Sequence, residues 1–311
     1  MAGMIDAEGC IAIARDTYRK TVAHRLQVSV AGTEQVLFDW LTENFGGFVC
    51  NVKRYNEKHT PGFQWYVTQQ TAADLLERVL PYLVIKTGQA DVASRFIGDR
   101  VKLEQSGDDR DNEIARRERC YQEMAELNRK GVNYDVDVMP TRGKLTPDQI
   151  DLDYLAGMVD GDGCVMLGKS NKRRRNGSVF PKHELKLIVT NTSDALVRWL
   201  SSRFGGHCVI TQHNSRWKTK IDWKLSGAQA ASVLELIGPS LLIKGEQASI
   251  AQSFINDMQR LTRGSSKSDM DLEINRRESL YQRMRDLNQC GDAAATTKYQ
   301  APAALPDEAI V

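Results

Sequence analysis

At 311 residues the chain is long enough for two domains, each able to bury a core. Hydrophobic residues make up 41% of it, which excludes disordered and collagen-like compositions, and no run of 18 apolar residues is present to span a membrane. The formal charge of +2 is near neutral, so a nucleic-acid partner requires the basic residues to be gathered on one face. The N-terminus lacks the charged segment and apolar stretch of a secretion signal. The six cysteines form no CxxC pair, so scattered reduced thiols in an intracellular protein are expected rather than a disulfide or zinc framework.

In chain order, the opening MAGMIDAEGC predicts a short helix ending at Gly9. Two strand-like stretches follow, in the second of which Leu26, Val28 and Val30 alternate with Arg25, Gln27 and Ser29. A helix is expected from about Thr33 to Phe45, with Gly46-Gly47 as its C-terminal cap. Two more strands lead to a helix opening near Thr71, where Asp74 would complete a capping box. Helices over about 88–103 and 111–130 close the set. The order α-β-β-α-β-β-α predicts an α+β domain with an antiparallel sheet.

The same blocks then recur in the same order. Residues 155–164, LAGMVDGDGC, repeat the opening, and Phe204-Gly205-Gly206 repeats Phe45-Gly46-Gly47. The block from Pro81 to Ala90 returns from Pro239 to Ala248, and segment 111–131 returns at 271–291 with 12 of 21 positions identical. The offset drifts only from 154 to 160, too long for a solenoid period, so this is a duplicated domain. The expected organisation is one repeat over 1–131, a linker over 132–151, a second repeat over 152–291 and a disordered tail over 292–311.

The strands predict sheets with one face on helices and one open. Leu185, Leu187 and Val189 alternate with Glu184, Lys186, Ile188 and Thr190, and Ile221, Trp223 and Leu225 alternate with Lys220, Asp222, Lys224 and Ser226. Residues 169–186 hold seven Lys or Arg against one Glu, with Lys172-Arg173-Arg174-Arg175 beside the turn signal Asn176-Gly177. A cationic open face fits a phosphate backbone, and its polar side chains could read base edges. The candidate DNA-facing residues of the first repeat are Arg15, Arg25, Gln27, Ser29, Lys53, Arg54, Gln64, Tyr66 and Thr68. Those of the second are Lys169, Lys172, Arg173, Arg174, Arg175, Lys186, Thr190, Gln212, Arg216, Lys218, Lys220, Asp222 and Lys224. His24 and His183 are repeat equivalents without metal-ligand spacing, for which a phosphate contact or exposure to water suffices.

Each motif is a small-residue helix ending in an acid. Gly3 and Ala7, like Gly157 and Gly161, lie one turn apart, a spacing that lets two helix backbones approach closely. Pairing the copies brings Glu8 and Asp162 side by side, although acids at a helix C-terminus oppose the dipole, which points to a functional need. Two adjacent carboxylates with an open side suit hard divalent cations. Such ions stabilise the attacking and leaving oxygens of phosphodiester hydrolysis.

Leu155-Ala-Gly-Met-Val-Asp-Gly-Asp-Gly163 resembles the signature of LAGLIDADG homing endonucleases, and Met1-Ala-Gly-Met-Ile-Asp-Ala-Glu-Gly9 resembles a second copy. The resemblance covers residues 1–291 and implies a monomeric pseudo-dimer whose two four-stranded sheets form a saddle over double-stranded DNA, with the motif helices packed at the interface. It implies that Glu8 and Asp162 bind catalytic Mg2+, for which Mn2+ or Ca2+ can substitute in binding, and that Asp6 and Asp160 make structural contacts. It assigns a basic active-site role to Lys86 and Lys244 and a polar one to Asn191, where the first repeat has Gly32 and so an unequal site. An intron RNA maturase or a non-cleaving DNA-binding regulator would share this fold, but both acids are present. The second motif is preceded by Thr146 to Tyr154, a plausible cap and first turns, whereas the first begins at Met1. A helix of about seven residues is marginal alone, so it must be held by its partner unless the native start lies upstream.

Overall fold

Alternating apolar residues build two antiparallel sheets, and a computed structural model describes residues 1–18, 21–52, 62–98, 108–129, 147–173, 177, 179–211, 219–258 and 266–289. The first sheet holds β1 (Gly9–Tyr18), β2 (Thr21–Gly32), β3 (Phe48–Val52) and β4 (Gly62–Thr68), in the order β1-β2-β4-β3. The second holds β5 (Gly163–Arg173), β6 (Val179–Asn191), β7 (His207–Thr211) and β8 (Lys220–Ser226), in the matching order β5-β6-β8-β7. Gly9 opposes Val30 in one sheet and Gly163 opposes Val189 in the other, so the two registers coincide.

Helices cover one face of each sheet. In the first repeat these are α1 (Ala2–Glu8), α2 (Gln35–Phe45), α3 (Gln69–Val79), α4 (Thr87–Gly98) and α5 (Asp108–Leu127). In the second they are α6 (Gln149–Asp162), α7 (Asp194–Phe204), α8 (Gly227–Ile237), α9 (Gly245–Met258) and α10 (Lys267–Leu287). The expected alternation is realised: Leu26, Val28, Val30, Phe63, Trp65 and Val67 are buried on one sheet, and Leu185, Leu187, Val189, Ile221, Trp223 and Leu225 on the other. Burial of apolar area at this density is the main stabilising contribution. The Phe-Gly-Gly corners are built alike. Gly46, Gly47, Gly205 and Gly206 all have positive φ, and the indole N–H groups of Trp65 and Trp223 donate to the Gly46 and Gly205 carbonyls at 2.8 and 2.7 Å.

The two repeats meet along α1 and α6. A Cβ on Gly3 would stand 2.0 Å from the Tyr154 carbonyl oxygen, and one on Gly157 would stand 2.8 Å from the Met4 backbone nitrogen. Glycine is therefore required by backbone contact. The seven residues of α1 are stabilised by this packing, with Ala2 to Asp6 buried, whereas α6 runs for 14 residues and opens with a capping box between Asp148 and Asp151.

One helix start differs from expectation. Helix α3 opens at Gln69 and has no side-chain cap, because β4 passes straight into it through Gln69 at φ +51. Thr71 lies inside the first turn, and Asp74 instead accepts from Gln70 Nε2 at 2.8 Å. Helix α4 is described as far as Gly98, and the part of the expected helix beyond it, residues 132–146 of the expected linker and the expected tail lie outside the described residues. Among the described residues, no helix is long and apolar enough to cross a membrane.

Candidate metal centre and nucleic-acid interface

The close approach of α1 and α6 carries their C-terminal acids to one place. A Cβ on Gly161 would meet Ala7 Cβ at 2.5 Å and Glu8 Cγ at 3.1 Å, so the tip of one motif lies against the tip of the other. Burial raises the pKa of Glu8, and the charge of Asp162 raises it further, against the opposing influence of Lys244 and Lys86. Burial also raises that of Asp162, against the Asn191 hydrogen bond and the same two lysines. The fold thus holds two carboxylates together at a cost in their ionised state.

The preceding acids anchor a loop. Asp6 is buried and accepts from the backbone N–H groups of Val84, Ile85 and Lys86 at 2.7, 3.1 and 2.9 Å, and from Tyr154 Oη at 2.8 Å. Asp160 does the same for Leu242, Ile243 and Lys244 at 2.7, 3.1 and 2.9 Å. A buried carboxylate satisfied by three N–H groups is a rigid brace. It brings Lys86 Nζ onto the carbonyls of Ile5 and Asp6 at 2.8 and 2.6 Å, and Lys244 Nζ onto those of Val159 and Asp160 at 2.8 and 2.7 Å. Each lysine thereby neutralises the negative C-terminal end of a motif helix. Burial lowers the pKa of both, opposed first by Asp6 for Lys86 and by Asp160 for Lys244.

Asn191 closes one side of the site. Its Nδ2 donates to Asp162 at 2.8 Å, while its Oδ1 accepts from the backbone of Thr192 and Ser193 at 2.8 and 3.0 Å. The amide is therefore held in one orientation. The first repeat has no side chain there: Gly32 stands at the equivalent end of β2, and the two halves of the site differ in this respect. Among the described residues no group of three His, Cys, Asp or Glu forms a closed metal cage. The donors present are two carboxylates beside helix-end carbonyls, an all-oxygen set that fits a hard divalent ion and leaves most of its shell to water or phosphate.

The structure sorts the candidate interface residues by face. Arg25, Gln27, Gln64, Tyr66 and Thr68 stand on the open face of the first sheet, and Lys172, Lys186, Thr190, Lys220, Asp222 and Lys224 on that of the second. Ser29 shares the open face but is only 2% exposed and accepts from Gln64 Nε2 at 3.2 Å. Arg15 and Lys169 are corrections. They follow the parity of the buried residues and turn under α5 and α10, where Arg15 reaches Glu118 at 3.2 Å and Lys169 reaches Glu278 at 2.8 Å. Arg173 shares that parity but is exposed at the strand end. Lys53, Arg54, Arg174, Arg175, Gln212, Arg216 and Lys218 lie outside the described residues.

His24 and His183 are also corrections, since neither faces water or an open sheet. Both are buried on the helix side and bond Glu118 and Glu278 at 3.0 and 2.9 Å. The blocks Arg116-Arg117-Glu118 and Arg276-Arg277-Glu278, which recur between the repeats, carry this signal, because the same acid in each tethers a strand to the closing helix.

Duplicated sheets, glycine-packed helices and paired acids at their tips define the two-repeat LAGLIDADG saddle fold. Among solved structures, the chain is similar to the LAGLIDADG homing endonuclease I-GzeII in complex with its DNA target, with a TM-score of 0.63 at 11% identity over 93% of this chain and 98% of that one. It is also similar to the LAGLIDADG meganuclease I-AabMI bound to uncleaved DNA, with a TM-score of 0.62 at 17% identity over 90% and 96% of the two chains. A third similar structure is I-SmaMI bound to cleaved DNA, with a TM-score of 0.59 at 18% identity over 93% and 96%. I-SmaMI has also been solved on uncleaved DNA in the presence of calcium ions. No family model matches the sequence, and no curated protein is similar to it at a significant level. The likeness is therefore one of fold.

Proposed function

We propose that the protein is a site-specific double-strand DNA endonuclease that acts as a single chain, with residues 1–131 and 152–291 each reading one half of a long, unequal site. The observation that carries the reading is the juxtaposition of Glu8 and Asp162 at the tips of two backbone-packed helices, where burial penalises both charges and Asp162 adds its repulsion on Glu8. Groups so disfavoured are candidates for function, and a divalent cation is the partner that relieves them. Mg2+ held by the two carboxylates would polarise the scissile phosphate and stabilise the developing charge on the attacking and leaving oxygens. The chain's own residues support that work. Asp6 and Asp160 fix the loops, Lys86 and Lys244 keep positive charge beside the acids, and Asn191 orients Asp162. The structural neighbours solved on DNA support a nucleic-acid partner for the open faces.

Asp162→Asn tests the reading. The amide keeps the shape but removes the charge that holds Mg2+. Specific binding of the target, measured in Ca2+, is expected to persist while double-strand cleavage in Mg2+ is abolished or severely slowed. A variant that cuts both strands at the wild-type rate would remove Asp162 from the mechanism. Asn191→Ala is expected to be milder, about 10- to 100-fold in metal affinity or activity, as for other groups that orient a ligand. Raising the Mg2+ concentration should recover part of that loss.

A further inference from the structure

The two open faces differ in chemistry. On the first sheet, Phe48, Cys50 and Val52 stand opposite Tyr66, Gln64 and Gly62 and share their face. Phe48 and Val52 are 49% and 43% exposed, Cys50 is exposed, and the Phe48 ring stacks on Tyr66 with centroids 5.4 Å apart and planes 21° apart. On the second sheet the matching edge strand presents His207 and Val209, the latter 39% exposed, opposite Lys224 and Asp222. An apolar strip along the edge of one open face is a surface that gains from losing water.

On unmodified duplex DNA, the apolar group on a major-groove base edge is the thymine methyl. Alternate residues of a strand lie about 6.6 Å apart, close to two base-pair steps of about 3.4 Å. Successive side chains at Phe48, Cys50 and Val52 can therefore meet methyls at alternate positions. Resting on the proposed DNA-binding function, we infer that the β3 edge reads thymine methyl groups, so that the half-site bound by the first repeat is thymine-rich and recognised through them. The second repeat has His207 at the place of Phe48, a single apolar residue, Val209, at that of Cys50, and lysines beside them on β8, and reads its half without such a strip.

Uracil is thymine without the methyl, and it makes the test direct. A target is first selected from a randomised duplex library. Thymines are then replaced by uracil in one half-site at a time, and affinity is measured in Ca2+. The wild-type chain should lose about three- to fivefold per contacted methyl in one half only. Phe48→Ser and Val52→Ser, both at exposed positions, should each lose the preference for thymine over uracil at the base that the replaced side chain faces. Specific binding without any uracil effect, or a uracil effect unchanged in both variants, overturns methyl reading while leaving the DNA-binding function intact. Absence of specific binding removes both. A DNA-free dimer in sedimentation that the two variants dissociate would assign the strip to self-association and likewise overturn the inference.

Discussion

Gln69 adopts a left-handed conformation at φ +51, where its repeat counterpart Gly227 has φ +56. A non-glycine residue there costs on the order of 1–2 kcal/mol, and the Gln69 side-chain carbonyl is in addition buried without a hydrogen-bond partner. Gln69→Gly should therefore stabilise the protein by about 1 kcal/mol after the larger entropy of an unfolded glycine is subtracted. Gly227→Gln, where a new Cβ meets nothing within 4 Å, should destabilise by about 1 kcal/mol on the same balance, for conformational reasons alone. Denaturant melts decide both, and a loss of stability in Gln69→Gly would refute the strain. This start is not legible in the first repeat because Gln carries no positive-φ signature; the sign of it lies in Gly227, one repeat away. The site acids make a second prediction. Their folded pKa values are raised, so ionisation favours the unfolded state, and the penalty is complete above the folded values. In metal-free protein at neutral pH, Glu8→Gln and Asp162→Asn should leave the melting temperature unchanged or raise it. The difference should vanish as pH falls below the ordinary carboxylate range. The proposed cleavage runs the other way and should fall as the acids take up protons. A clearly lowered melting temperature in both variants would contradict the penalty.

Among the elements, the motif helices are the most legible, because small residues one turn apart admit few explanations other than close backbone contact. Their prediction is correspondingly sharp. Gly3→Ala gains helix propensity worth about 1 kcal/mol but drives a methyl to 2.0 Å from the Tyr154 carbonyl oxygen, which is backbone and cannot swing away. Overpacking of this kind costs about 1–3 kcal/mol or more, so the variant should be destabilised and should lose cleavage as Glu8 and Asp162 move apart. Gly88→Ala is the control, since its Cβ would meet only the Leu127 side chain at 3.5 Å, and it should be neutral or mildly stabilising. Equal effects at both positions would show that backbone contact does not set the requirement for glycine. The strands are legible as to face except at their ends. Period two places Arg15 on the parity of Ile13 and Lys169 on that of Leu167, but it says nothing about how far a helix extends over the sheet. Here α5 and α10 reach far enough to take both cations, each with a glutamate and a tyrosine: Arg15 lies 6.0 Å from the Tyr121 ring centroid and Lys169 5.5 Å from that of Tyr281. A buried histidine in the same cluster is invisible to alternation alone, because His24 and His183 occupy core positions with polar residues.

At the scale of the whole molecule, the near-neutral total hides an uneven division. Among the described residues, the open face of the second sheet carries Lys172, Lys182, Lys186, Lys220 and Lys224 with Glu184 and Asp222, whereas that of the first carries Arg25 with Asp16 at 3.5 Å. Lys182 and Lys186 share Glu184 at 3.1 and 4.0 Å, and Lys224 is bound to Asp222 at 2.9 Å. The second repeat should therefore supply more of the phosphate attraction. Each phosphate that the protein no longer neutralises lowers the slope of log affinity against log salt by about 0.9. Replacing Lys172 and Lys220 together by alanine should flatten the slope by about 2 and weaken all sequences alike. Arg25→Ala should change the slope by less than about 1, since Asp16 already balances its charge. Titrations on target and non-target duplexes over a range of salt measure both. If the double lysine variant keeps the wild-type slope while Arg25→Ala flattens it, the attraction resides in the first sheet, and this reading of the second is wrong.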